Sequence, residues 1–157
     1  MSDDKVDQKG RCVCGAVEYH VQGDLLFCFL CHCRACSWAL SVSPVHLVGV
    51  KATMEYTKGQ DKVVITKGLG KMILGRCKDC LVPLYQKPED APFVALFPPA
   101  FHIGGEDSLD QKLPDKYHPK CHMNYENRAM DANDSLPKYK TGPPNNQMNN
   151  DGSLIQP

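Results

Sequence analysis

The cysteines of this chain are bunched rather than scattered, and that bunching restricts what it can fold into more than any other feature. Cys12-Val-Cys14 and Cys77-Lys-Asp-Cys80 are thiol pairs far apart in sequence, each on one tight turn. Cys31-His-Cys33-Arg-Ala-Cys36 places three more thiols within six residues, a density that core packing does not require. The first ten residues, Met1 to Gly10, are polar and acidic, without the apolar run of a secretory leader or the Arg-rich, acid-poor character of a transit peptide. The expected location is therefore the cytosol or nucleus. In a reducing compartment clustered thiols more often hold metal than form lasting disulfides, and nine cysteines leave one unpaired in any disulfide scheme.

Two thiol pairs supply the four sulfurs of a closed, tetrahedral zinc site. Cys12, Cys14, Cys77 and Cys80 are accordingly expected to hold one structural ion that clamps the first strand of the domain to a later hairpin. A redox dithiol at Cys77/Cys80 and plain core cysteines are the competing readings. Cys31, Cys33 and Cys36 offer only three sulfurs, and three protein ligands leave zinc a fourth position for water or substrate. Cys28 could close that site into a second structural zinc. It lies inside the apolar run Leu25-Leu-Phe-Cys-Phe-Leu30, however, where a small thiol packs well pointing away from the metal, so the open site is the favoured reading. His32 stands between two ligands and is expected to face solvent or to support them from behind. His118 and His122 flank Cys121; they read as surface histidines around a strand residue, with His122 kept as a neighbour of the active site. His20, His46 and His102 are read as ordinary side chains.

Composition narrows the rest. At 157 residues with 42% hydrophobic content the chain suits one compact domain, and equal acidic and basic counts give no basic field for nucleic acid or anionic lipid. No apolar stretch is long enough to span a bilayer. Apolar residues alternate in short runs, predicting a mainly β fold with strands at 16–21, 25–29, 53–57, 62–66, 71–76, 93–97 and 122–125, and a helix that is short or absent. Residues 1–9 and 140–157 carry too little apolar surface to offset the entropy of ordering them and are expected to be flexible ends around a domain at 10–139.

Taken together, Gly10-Arg-Cys12-Val-Cys14-Gly15-Ala-Val17-Glu-Tyr19, Cys31-His-Cys33-Arg-Ala-Cys36, Arg76-Cys77-Lys-Asp-Cys80, Cys121-His-Met-Asn-Tyr-Glu-Asn-Arg128 and Asp134-Ser-Leu-Pro-Lys-Tyr139 resemble the glutathione-dependent formaldehyde-activating enzyme family, which includes centromere protein V. The resemblance implies an Mss4-like (β-tent) fold of small antiparallel sheets pinned by zinc at Cys12, Cys14, Cys77 and Cys80. It further implies a catalytic zinc at Cys31, Cys33 and Cys36, and a carbon–sulfur lyase type of reaction on S-hydroxymethylglutathione. A sulfur-rich ligand set suits a soft thiol substrate. Arg34, Arg76 and Arg128 are the guanidinium candidates for the carboxylates of glutathione. Three departures stand out: Leu81 where the family usually has Gly, Ser37-Trp38-Ala39-Leu40 in place of a more polar, Gly-containing stretch, and no Trp near Met130.

The alternative function is a non-catalytic, zinc-stabilised module that recruits a protein partner. A chromatin or cytoskeletal role is weakened by the zero net charge, and a thiol–disulfide or methionine-sulfoxide reductase by the lack of a separate exposed nucleophilic cysteine.

Overall fold

The computed structural model describes residues 4–101 and 112–156; His102 lies outside them. The architecture is mainly β, as the sequence predicts. Its strands are β1 Lys5–Arg11, β2 Glu18–Cys31, β3 Val45–Lys51, β4 Glu55–Lys58, β5 Val63–Lys67, β6 Met72–Cys77, β7 Pro83–Pro88, β8 Val94–Leu96, β9 His122–Met123, β10 Lys138–Tyr139 and β11 Gln147–Met148. One seven-residue helix, α1, spans Arg34–Leu40.

The described residues form two compact units, 4–27 with 48–101 and 112–117, and 28–47 with 118–156, and β2 and β3 carry the backbone from one to the other. In the first unit β1 pairs antiparallel with β2, β4 adds to β2 beside Tyr19 and His20, and β5, β6, β7 and β8 form an antiparallel run that continues to the end of β3. Val17, Tyr19, Val21, Val48, Val50, Leu74, Leu84 and Leu96 are buried there, consistent with the expected alternation of apolar residues. In the second unit the end of β2 pairs in parallel with β9 at Leu30/His122 and Cys31/Met123, β9 pairs with β10, and β10 with β11.

Several expectations are corrected. The two strands read at 16–21 and 25–29 are one fourteen-residue strand. Residues 5–9 of the segment expected to be a flexible N-terminus belong to β1, whose inward face is Val6, Gln8 and Gly10. That face carries a single large apolar side chain, so the seven-residue ladder to β2, not hydrophobicity, orders it. In the segment expected to be a flexible tail, β11 pairs with β10, Met148 is buried, and the carbonyls of Asn150 and Asp151 accept hydrogen bonds from the Tyr125 hydroxyl at 2.7 Å and from the Arg128 guanidinium at 2.6 Å. One buried thioether and these backbone pairings offset the entropy that the polar composition alone would not.

Candidate metal centres

Cys12 and Cys77 are fully buried, each beginning a turn of the same construction. The Cys12 N–H donates to the Val17 carbonyl and the Cys77 N–H to the Val82 carbonyl, both at 3.1 Å, each closing a six-residue turn. In both, the residue after the second cysteine is left-handed: Gly15 at φ +70° and Leu81 at φ +62°. That is the conformation a glycine supplies without cost and a leucine does not, so the departure noted at position 81 is a strained one.

The four ligand atoms of Cys12, Cys14, Cys77 and Cys80 lie within 4.8 Å of one another, with Sγ–Sγ separations of 3.5 Å for Cys12/Cys14 and 3.8 Å for Cys14/Cys77. Ligand sulfurs about 2.3 Å from a tetrahedral zinc stand roughly 3.8 Å apart, whereas a disulfide needs about 2.05 Å. The donor set fits a metal ion. The Val17 N–H points at Cys12 Sγ at 3.3 Å, the kind of hydrogen bond that stabilises a thiolate. Burial would push the Cys80 thiol up, but hydrogen bonds from the Val82 and Cys14 backbone and from the Cys14 and Cys77 thiols outweigh it and hold Cys80 at about 7.

The second cluster is built by the end of β2 and the start of α1. Cys33 is the N-cap of the helix, its Sγ accepting from the Cys36 N–H at 3.4 Å, and Cys31, Cys33 and Cys36 bring their sulfurs within 4.8 Å of one another. Hydrogen bonds from the Cys31 and Cys36 thiols, reinforced by the Cys36 and Ala35 backbone, hold Cys33 far below the usual thiol range, while the hydrogen bond to Cys33 raises Cys31; three sulfurs this close together suit a soft metal. Among the described residues neither Cys28 nor His32 joins this group. Cys28 is buried three residues upstream, its Sγ outside the group of three.

The solvent-facing reading of His32 and the surface reading of His122 are corrected. Both are buried, at 2% and 1% exposure, and neither faces solvent. The reason is β9: the His32 N–H donates to the Met123 carbonyl at 2.9 Å, and this parallel register sets the two rings side by side, His32 Nε2 lying 2.8 Å from His122 Nδ1. Tyr125 packs edge-on against both, with centroids 5.0 and 5.6 Å away. Burial, with His122 adding to it, pulls His32 down to about 4. His122 Nε2 lies 2.9 Å from Asp134 Oδ2, and Asp134 Oδ1 lies 2.8 Å from the ammonium of Lys138, which is itself 2% exposed. Burial would raise Asp134, but the hydrogen bonds from Lys138 and His122 win and hold it at about 2. Asn124, left-handed at φ +55°, directs its amide to Cys31 Sγ at 3.7 Å. Asn124, Tyr125, Asp134 and Lys138 escaped sequence reasoning; Cys121-His-Met-Asn-Tyr and Asp134-Ser-Leu-Pro-Lys were visible only as stretches of resemblance.

The three arginines fare differently. Arg76 in the first unit donates to Thr66 Oγ1 and to the Leu81 carbonyl, bracing the strained turn. Arg128 stacks over Tyr125 at 4.9 Å and pairs with Asp131 at 2.6 Å. Arg34 is exposed at the first residue of α1, next to Cys33.

A mainly β chain with one group of four sulfurs and a separate group of three, each able to hold a metal ion, is the class defined by this fold and site. The model of the family described as glutathione-dependent formaldehyde-activating enzyme matches residues 7–127, and the chain belongs to that family. A crystal structure of a Rhodobacter sphaeroides protein is similar at 20% sequence identity and a TM-score of 0.48, covering 63% of this chain and 91% of that one. No curated protein matches the chain. No helix of the described residues is long and apolar enough to cross a membrane.

Proposed function

We propose that the chain is a zinc-dependent carbon–sulfur lyase-type enzyme acting on a small thiol–aldehyde adduct such as S-hydroxymethylglutathione. In this reading Cys12, Cys14, Cys77 and Cys80 hold a structural zinc, and Cys31, Cys33 and Cys36 hold the catalytic one. The observation that carries it is the convergence of three, not four, ligand atoms at the second cluster, with Cys28 outside the group. Three protein ligands are the arrangement that leaves room for a substrate atom.

In the breakdown direction the carbon–sulfur bond breaks with its electron pair staying on sulfur, the carbon becomes formaldehyde as the hydroxyl loses its proton, and the thiolate ends as thiol; synthesis is the reverse. Zinc bound at the cluster supplies a soft Lewis-acid seat for the thiolate sulfur. The residues would do the rest: Cys31, Cys33 and Cys36 would hold the ion, the Asn124 amide supports Cys31 from behind, and the exposed Arg34 beside Cys33 would receive a carboxylate of glutathione. Turnover of formaldehyde with glutathione is expected from zinc-loaded protein, to vanish on chelation and to return on adding zinc. No metal-dependent turnover with any thiol–aldehyde adduct would overturn the reading.

One observation favours the non-catalytic interaction module: Trp38 on α1 is 69% exposed, with Val42 just beyond the helix also exposed. A protein that binds two zincs, each with four sulfurs, and shows no turnover would support that alternative.

A further inference from the structure

The first unit holds a cavity of about 500 Å³ whose lining contains no cysteine. Cavities that enclose a small organic molecule run from roughly 300 to 1,000 Å³. Tyr85 and Lys87 alternate onto one face of β7, Tyr56 comes from β4 and Lys51 from the end of β3, with Met54 and Pro92 as apolar wall. Tyr85 is 8% exposed, and its place depends on Gly75, its partner on β6. A Cβ added at Gly75 would stand 2.1 Å from Tyr85 Cε1, so the missing side chain is what lets the ring lie across the neighbouring strand.

The charge of the cavity is one-sided. Among the described residues its lining carries two ammonium groups and no carboxylate, in a chain whose net charge is zero. Lys87 is fixed at the wall, where it donates to the Ala91 carbonyl at 3.0 Å and has two further N–H bonds to give. Asp90, next to Ala91, pairs with Lys71 at 3.9 Å. Lys51 is exposed, and Asp24, the carboxylate on which its charge acts, is already bonded to Lys5. The hydroxyls of Tyr56 and Tyr85 are hydrogen-bonded to each other, and burial raises both, so each keeps its proton at neutral pH. One bond between two hydroxyls uses one proton and leaves the other O–H to donate to a ligand.

We propose that this cavity binds a small carboxylate with an aromatic or compact apolar body, the carboxylate taken by Lys87, Lys51 and the remaining tyrosine O–H, and the body by Met54 and Pro92. A phosphate is more often gripped by guanidinium forks or a nest of backbone N–H groups, and the lining has no arginine. Glutathione, with two carboxylates and no apolar body, fits this wall poorly. The ligand is therefore not the thiol adduct proposed for Cys31, Cys33 and Cys36.

Titrations into the zinc-loaded full chain, read at isotope-labelled methionine methyls by NMR, test it. Naphthylacetate is expected to move the Met54 methyl saturably and to leave Met123 and Met148 of the second unit in place. Naphthylethylamine, with the same body and the opposite charge, is expected to bind at least about tenfold more weakly. K87M, which keeps an apolar stem, is expected to weaken naphthylacetate about tenfold, and K51M and Y85F about threefold to fivefold each. Equal binding of the acid and the amine would reduce the cavity to an unselective apolar surface and overturn the proposal. So would full affinity in the double variant K51M/K87M, or a Met54 signal that does not move. Glutathione is expected not to displace naphthylacetate; displacement would assign the cavity to the thiol substrate and overturn the proposal as well.

Discussion

Leu81 shows how much one backbone angle reveals. Its side chain is 63% exposed and its φ is +62°, so it contributes little burial while occupying a region that disfavours any side chain with a Cβ. L81G is expected to raise stability by about 1 kcal/mol, seen as a higher denaturant midpoint with an unchanged slope. Asp134 is the counterpart on the polar side. Its carboxyl is held at about 2 in the fold against an ordinary 3.8, so the stabilisation from its ionised form is present above about pH 4 and is lost as the pH falls toward 2. The melting-temperature gap between wild type and D134N is therefore expected to be flat from pH 7 to 5 and to close between about pH 4 and 2; a gap that widens on acidification would contradict this assignment.

At the scale of elements, the cysteine clusters were legible because metal ligation demands sulfurs at short, fixed spacing, and sequence shows spacing directly. Short apolar runs bounded by Gly, Asp and Lys, such as β5 and β6, were legible from their composition and punctuation. Polar strands were not. β1 buries Gln8 and Gly10 beside Val6, and β10 buries Lys138; neither presents a hydrophobic face that a sequence could display. The pairing of His32 with His122 was illegible because it depends on the parallel register of β9 with the end of β2, ninety residues away in sequence. The polar C-terminal region offers a test of packing against composition. Met148 is 7% exposed on β11, and M148A is expected to cost about 2 kcal/mol, toward the low end for a buried methionine because β11 is a two-residue strand. Protected amides at Met148 and Ile155 in hydrogen exchange would accompany it, since the Ile155 N–H donates to the Gln147 carbonyl.

On the proposed reading, the two cysteine groups of the whole molecule have different duties. Cys12, Cys14, Cys77 and Cys80 join turns 63 residues apart in the first unit, where a bound ion is folding energy. Cys31, Cys33 and Cys36 sit on a single continuous segment of the second unit that is already ordered by α1 and β9. C14S is therefore expected to lose one zinc equivalent and several kcal/mol, a fall in melting temperature of roughly 10 °C, whereas C33S loses one equivalent with a clearly smaller fall. Equal falls would mean that both ions are structural.

The central claim is that the second centre keeps a place for a sulfur the protein does not supply. Zinc-edge X-ray absorption on the two-zinc protein in thiol-free buffer measures it directly. The expected result is seven sulfurs shared between two ions, with a light atom completing the set, rising to eight when glutathione is added. Eight sulfurs before any thiol is added would mean that Cys28 or Cys121 closes the site, and would contradict an open catalytic centre.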